Sequence, residues 1–99
     1  MQGHHELEVL LTCADDPLGI VRRLPLDQPG ESFGLLEPGE SGWTLCIPHG
    51  SVATASVDGR PVDLAPLPVD AAGERHLPVG PGLWAQVVMG SFEFCVRPT

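Results

Sequence analysis

The sequence predicts an all-β domain, a small antiparallel β-sandwich, on three observations. Glycine and proline, 12 and 11 of 99 residues, punctuate the chain roughly every 8 to 12 residues. The short runs between them alternate apolar and polar side chains, the period of a strand with one buried face. No window long enough for a helix repeats apolar residues at helical spacing. A chain of 99 residues suffices for one modest core and leaves no room for a second. The expected organisation is therefore a single domain over 1–99, with the sandwich over 6–97 and a frayed end at 1–5.

The elements follow in order. "ELEVLLT" (6–12) places Leu7, Val9 and Leu11 on one face, and "GIVRRL" (19–24) gives a second, shorter strand. "SFGLLE" (32–37) reads as a third, interrupted at Gly34, before a turn at "EPGESG". "WTLCI" (43–47) sets Trp43, Leu45 and Ile47 opposite Thr44 and Cys46. "SVATASV" meets "RPVDL" across Asp58-Gly59, a dipeptide suited to a type I′ hairpin because both central residues need positive φ. "APLPVDAAGE" (65–74) has loop composition, and "RHLPV" enters a short edge strand, where Pro78 is tolerated without its N–H. The closing pair "LWAQVVM" and "SFEFCVR" forms a hairpin near the middle of the sandwich.

Charge narrows the partners. Thirteen acidic side chains stand against five arginines and no lysine, for a net charge of -8. Such a chain repels polyanions, which disfavours nucleic acid and anionic membrane surfaces. No run approaches the roughly 18 apolar residues of a membrane span, so no direct membrane insertion is expected. The absence of lysine, asparagine and tyrosine, whose codons are A/T-rich, points to a GC-rich bacterial coding sequence. Three cysteines cannot all pair within one chain, which argues for a reducing, cytoplasmic compartment.

Several residues have the chemistry of a site. His4, His5, Cys13, Cys46, His49, His76 and Cys95 are zinc-competent types, but Cys46-x-x-His49 is the single pair at knuckle spacing, and one pair does not complete a tetrahedron. They are read as small packed cysteines and exposed histidines, with no metal and no cofactor. His49 and Ser51 lie close in sequence without a serine elbow around them, so no enzyme is expected. Asp15-Asp16 reads as a solvated turn, lacking the pattern of a calcium loop. Arg22 and Arg23, the one adjacent basic pair, are candidates for an anion contact or for pairing with neighbouring acids.

"SGWTLCIPHGSVATASVDGRPVDL" followed by "RHLPVGPGLWAQVVMGSFEFCVRP" resembles the second half of a forkhead-associated (FHA) domain, in which a strand leads through a glycine-rich turn and a short glycine hairpin to a closing strand pair. Gly59 stands at the hairpin glycine, and Gly80 or Gly82 and Gly90 at those of the closing pair. "LEVLLTCADDPLGIVRRLPLDQPGESFGLL" is similar to the FHA-like segments of myxobacterial adventurous gliding motility proteins of the AgmX/PglI type. The resemblance spans residues 6–97 and implies an FHA-like sandwich, a protein partner, and a place in a bacterial motility or envelope-associated assembly. It departs where FHA domains bind phosphothreonine. Their Ser-x-x-His and asparagine have no counterpart in "GLLEPGESGWTL", which implies a degenerate domain to which no family binding residue carries over.

The expected function is a non-catalytic protein–protein interaction module that works as a scaffold. Its candidate surface is the face of the closing hairpin that carries Trp84, Gln86, Val88, Glu93, Cys95 and Arg97, partly apolar and provided with an aromatic anchor. The alternatives left open are a structural domain that forms homo-oligomers through its edges, and a small-ligand or zinc-binding protein.

Overall fold

The computed structural model describes residues 6–26, 30–39 and 42–98, and for 16–18 the backbone alone. The fraying expected at 1–5, with His4 and His5, lies outside the described residues. The fold is an all-β sandwich of two antiparallel sheets. Among the described residues nine strands follow one another: β1 (Glu6–Cys13), β2 (Asp16–Pro25), β3 (Leu36–Gly39), β4 (Gly42–Ile47), β5 (Val52–Val57), β6 (Arg60–Pro61), β7 (Arg75–Pro78), β8 (Leu83–Met89) and β9 (Phe92–Pro98). One sheet has the order β2-β1-β9-β8-β5-β6, the other β3-β4-β7.

The closing hairpin β8–β9 occupies the centre of the larger sheet, and β9 also pairs with β1. Leu7 lies opposite Pro98 and Val9 opposite Val96. The first and last described strands are therefore neighbours. Asp58 and Gly59 adopt φ of 50° and 84°, the positive pair that a two-residue hairpin needs to match strand twist, and they join β5 to the short β6.

Alternation decides what lies between the sheets. Leu7 and Val9, then Leu83, Ala85 and Val87, then Phe94 and Val96 project inward from the larger sheet. Leu36, Trp43, Leu45, Ile47, Leu77 and Val79 meet them from the smaller one. Each large side chain so buried stabilises by about 1.5–3 kcal/mol relative to exposure. Trp43 buries its ring and donates its indole N–H to the Pro25 carbonyl at 2.7 Å, so the polar edge of the indole is satisfied.

Four strand readings need adjustment. The second strand, expected over 19–24 as the shorter one, runs Asp16–Pro25, ten residues against eight in β1, and of "RPVDL" β6 takes Arg60–Pro61. The third strand begins at Leu36, because Phe33 and Leu36 exchange backbone hydrogen bonds around Gly34 and close a tight turn there. Phe92, on the alternation of Phe94 and Val96, is 48% exposed, since it stands beside the Gly90-Ser91 turn where the sheet ends.

Candidate functional site

The outer face of the larger sheet is built by the same alternation that builds the core. Antiparallel pairing puts directly opposed residues on one face, so the registers generate three transverse rows. Arg23, Glu8 and Arg97 form one, continued by Trp84, Ser56 and Pro61. Val21, Leu10, Cys95, Gln86 and Thr54 form the next. Glu93, Val88 and Val52 form the third. The six residues Trp84, Gln86, Val88, Glu93, Cys95 and Arg97 thus lie on one continuous surface.

A shallow groove of about 510 Å³ runs over this face, with Trp84, Leu10, Gln86, Cys95 and Pro61 among its walls. Trp84 is 50% exposed, and its strand neighbours Leu83 and Ala85 are buried on the other side of the sheet. Its ring therefore stands on the outer surface, away from the core. A sheet face turned to water is usually polar; this one carries Leu10, Val21, Val52, Trp84 and Val88.

Its charged groups already have polar partners on the face. Glu8 accepts hydrogen bonds from the Arg97 guanidinium and lies 3.7 Å from Arg23 Nε. Gln86 donates to the Glu93 carboxylate. Burial and then the field of Glu93 push the Cys95 thiol above its ordinary value, with Arg97 opposing, so the thiol stays protonated.

Arg22 and Arg23 are not brought together. Successive residues of a strand face opposite ways: Arg23 sits beside Glu8, while the Arg22 guanidinium lies 5.1 Å over the Phe33 ring, a cation–π contact. Asp15 is exposed in the turn between β1 and β2, and the Asp16 side chain lies outside the described residues. Ser51 gives its hydroxyl proton to the Pro48 carbonyl at 2.7 Å, so that proton is not directed to His49.

A second cluster, missed in the sequence, lies on the outer side of the smaller sheet. Cys46 pairs in register with His76, and its thiol donates to Glu37 Oε2 at 3.1 Å, with His76 Nδ1 at 3.9 Å. Glu37 and His76 approach from β3 and β7, on opposite sides of β4. Among the described residues no three His, Cys, Asp or Glu side chains are grouped to hold a metal. Burial, the Glu37 hydrogen bond and the nearby acids push the thiol up to about 12. A thiol held protonated in this way is a poor nucleophile.

His76 Nε2 in turn meets Asp70 Oδ2 at 2.9 Å, while Asp70 Oδ1 accepts from the backbone N–H of Ala72 and Glu74. The His76 hydrogen bond, then the Glu74 N–H, hold the Asp70 carboxyl below its ordinary 3.8. A depressed folded value means stabilisation that is complete above the unfolded value and is lost as pH falls through the folded one. The stability gap between the native chain and Asp70→Asn should accordingly narrow between about pH 5 and pH 3. Urea midpoints across that range test this, and a gap independent of pH would refute it.

Compared with known proteins, the chain matches no family model, no curated protein and no solved structure. Among the described residues no helix is long and apolar enough to cross a membrane.

Proposed function

We propose that the chain is a non-catalytic protein-interaction module, a degenerate FHA-like sandwich that grips its partner on the outer face of the larger sheet and not through phosphothreonine. The observation that carries the proposal is the groove around Trp84, an aromatic anchor on an apolar face whose charged groups already have hydrogen-bond partners. A charged partner residue would have to displace the Glu8 or Glu93 contacts and desolvate a charge. The fitting partner is therefore a short, uncharged, aliphatic or aromatic segment of another protein. The order of β4, the Gly50 turn, the Asp58-Gly59 hairpin and the closing pair β8–β9 supports the FHA-like reading.

Selection from a displayed peptide library tests the proposal. Enriched sequences are expected to be apolar and uncharged. Trp84→Ala should weaken them by about 2 kcal/mol or more, roughly thirtyfold in Kd, while leaving stability within about 0.5 kcal/mol, as for a surface change. Peptides that bind Trp84→Ala equally well, or enrichment of phosphothreonine peptides alone, would sink it. A second reading, self-association, is favoured by β2, a ten-residue strand at the edge of the larger sheet with Ile20 and Val21 exposed. Sedimentation at rising concentration separates the two.

A further inference from the structure

A different cleft, independent of the outer face, opens at the end of the sandwich where the chain crosses from β4 to β5. It measures about 290 Å³. Ile47, Ala53 and Leu64 supply its apolar side, and Arg75, His49 and Ser51 its polar side. Arg75 starts β7 opposite Ile47 and shares the inward alternation of Leu77. Its side chain is thereby directed between the sheets at their rim, where it is half-buried.

Arg75, like Arg22 and Arg60, has no carboxylate at ion-pair distance among the described residues, and it lines this cleft. Arg23 and Arg97 share Glu8, and Arg22 lies over Phe33. Among the described residues no acidic side chain lines the cleft. A guanidinium drawn out of water without a counter-charge is unfavourable. A bound anion would remove that penalty.

We propose that this cleft binds a carboxylate, with the Arg75 guanidinium as counter-charge and Ile47, Ala53 and Leu64 receiving the attached hydrocarbon group. The planar fork of arginine matches a carboxylate in two parallel hydrogen bonds. A single positive charge in a chain of net charge -8 suits a monoanion better than a phosphate dianion. The carboxylate belongs either to a small molecule or to the end of a peptide chain, and the test separates the two.

Butyrate and its uncharged analogue butyramide are titrated into the full chain at constant ionic strength, following the backbone amides and the Arg75 Nε–H by nuclear magnetic resonance. Butyrate is expected to give saturable shifts at Arg75, His49, Gly50 and Ser51 with a Kd of about 1–10 mM, a weak single-site contact. Butyramide should give none, and Arg75→Gln should weaken butyrate at least about tenfold. A short peptide with a free carboxyl end that binds more tightly than both butyrate and its own amide supports the site with a chain end as source. Butyrate binding as tightly as that peptide supports it with a small molecule as source. Equal shifts from butyramide, absence of saturation, or tighter binding of inorganic phosphate would overturn the proposal. The butyrate and butyramide comparison uses the unmodified protein and so does not depend on the variant folding.

Discussion

Phe94→Ala is expected to cost about 3–5 kcal/mol, a large share of the about 5–15 kcal/mol that holds a typical domain folded. Phe94 is 1% exposed and lies between Leu11 of β1 and Val87 of β8 in register. The Phe33 ring packs on it at a centroid distance of 6.4 Å and a tilt of 42°, and Arg22 covers the Phe33 ring. Removing the Phe94 ring leaves a cavity and also deprives the Phe33 ring of its aromatic neighbour. Phe92→Ala, two residues earlier on the same alternation, removes a ring that is 48% exposed and should cost less than about 1 kcal/mol. Denaturant midpoints of the two variants measure the contrast. Equal losses would show that Phe92 is packed as closely as Phe94 and that its exposure beside the Gly90-Ser91 turn is mistaken.

Gly34→Ala should be nearly as damaging, although it adds a single methyl group. Gly34 has a φ of 58°, a conformation that costs a residue with a Cβ about 1–2 kcal/mol. A Cβ there would lie 2.4 Å from Phe94 Cε1, and forcing the ring aside in a packed core costs about 1–3 kcal/mol more. The expected loss is therefore about 2–5 kcal/mol by adding the two effects. Their origins can be told apart. In a Phe94→Leu background the collision is relieved, so Gly34→Ala should there cost only its backbone share, a non-additivity expected of residues in contact. Strict additivity would mean that the turn and the ring do not touch.

The parts legible in the sequence were those written in local alternation. Trp84, Gln86 and Val88 separate from Leu83, Ala85 and Val87 by counting twos, and Asp58-Gly59 announces its turn through backbone chemistry alone. Strand order and register are set by contacts distant in sequence. Glu8 and Arg97 meet across 89 positions, and Cys46 and His76 across 30, and no spacing rule encodes either meeting. Knuckle spacing drew attention to Cys46 with His49, whereas β4 ends at Ile47 and His49 falls in the turn beyond it. The Cys46 partner comes instead from β7. The placement of Arg75 is hidden from local spacing for a related reason. A charge at the head of a short edge strand looks solvent-facing until the register with Ile47 places it on the inner side.

The pairing of β1 with β9 has a mechanical consequence. Leu7 and Pro98 are direct partners in an antiparallel ladder, so a tether attached at each end of this stretch would emerge from the same side of the sheet. Tension between those tethers acts across the strands, along the hydrogen bonds, and loads the rungs one at a time instead of shearing all of them together. The two strands bear much of the core and resist heat and denaturant as a unit. Under a pull they should part like a zipper, at low force and from the Leu7–Pro98 end.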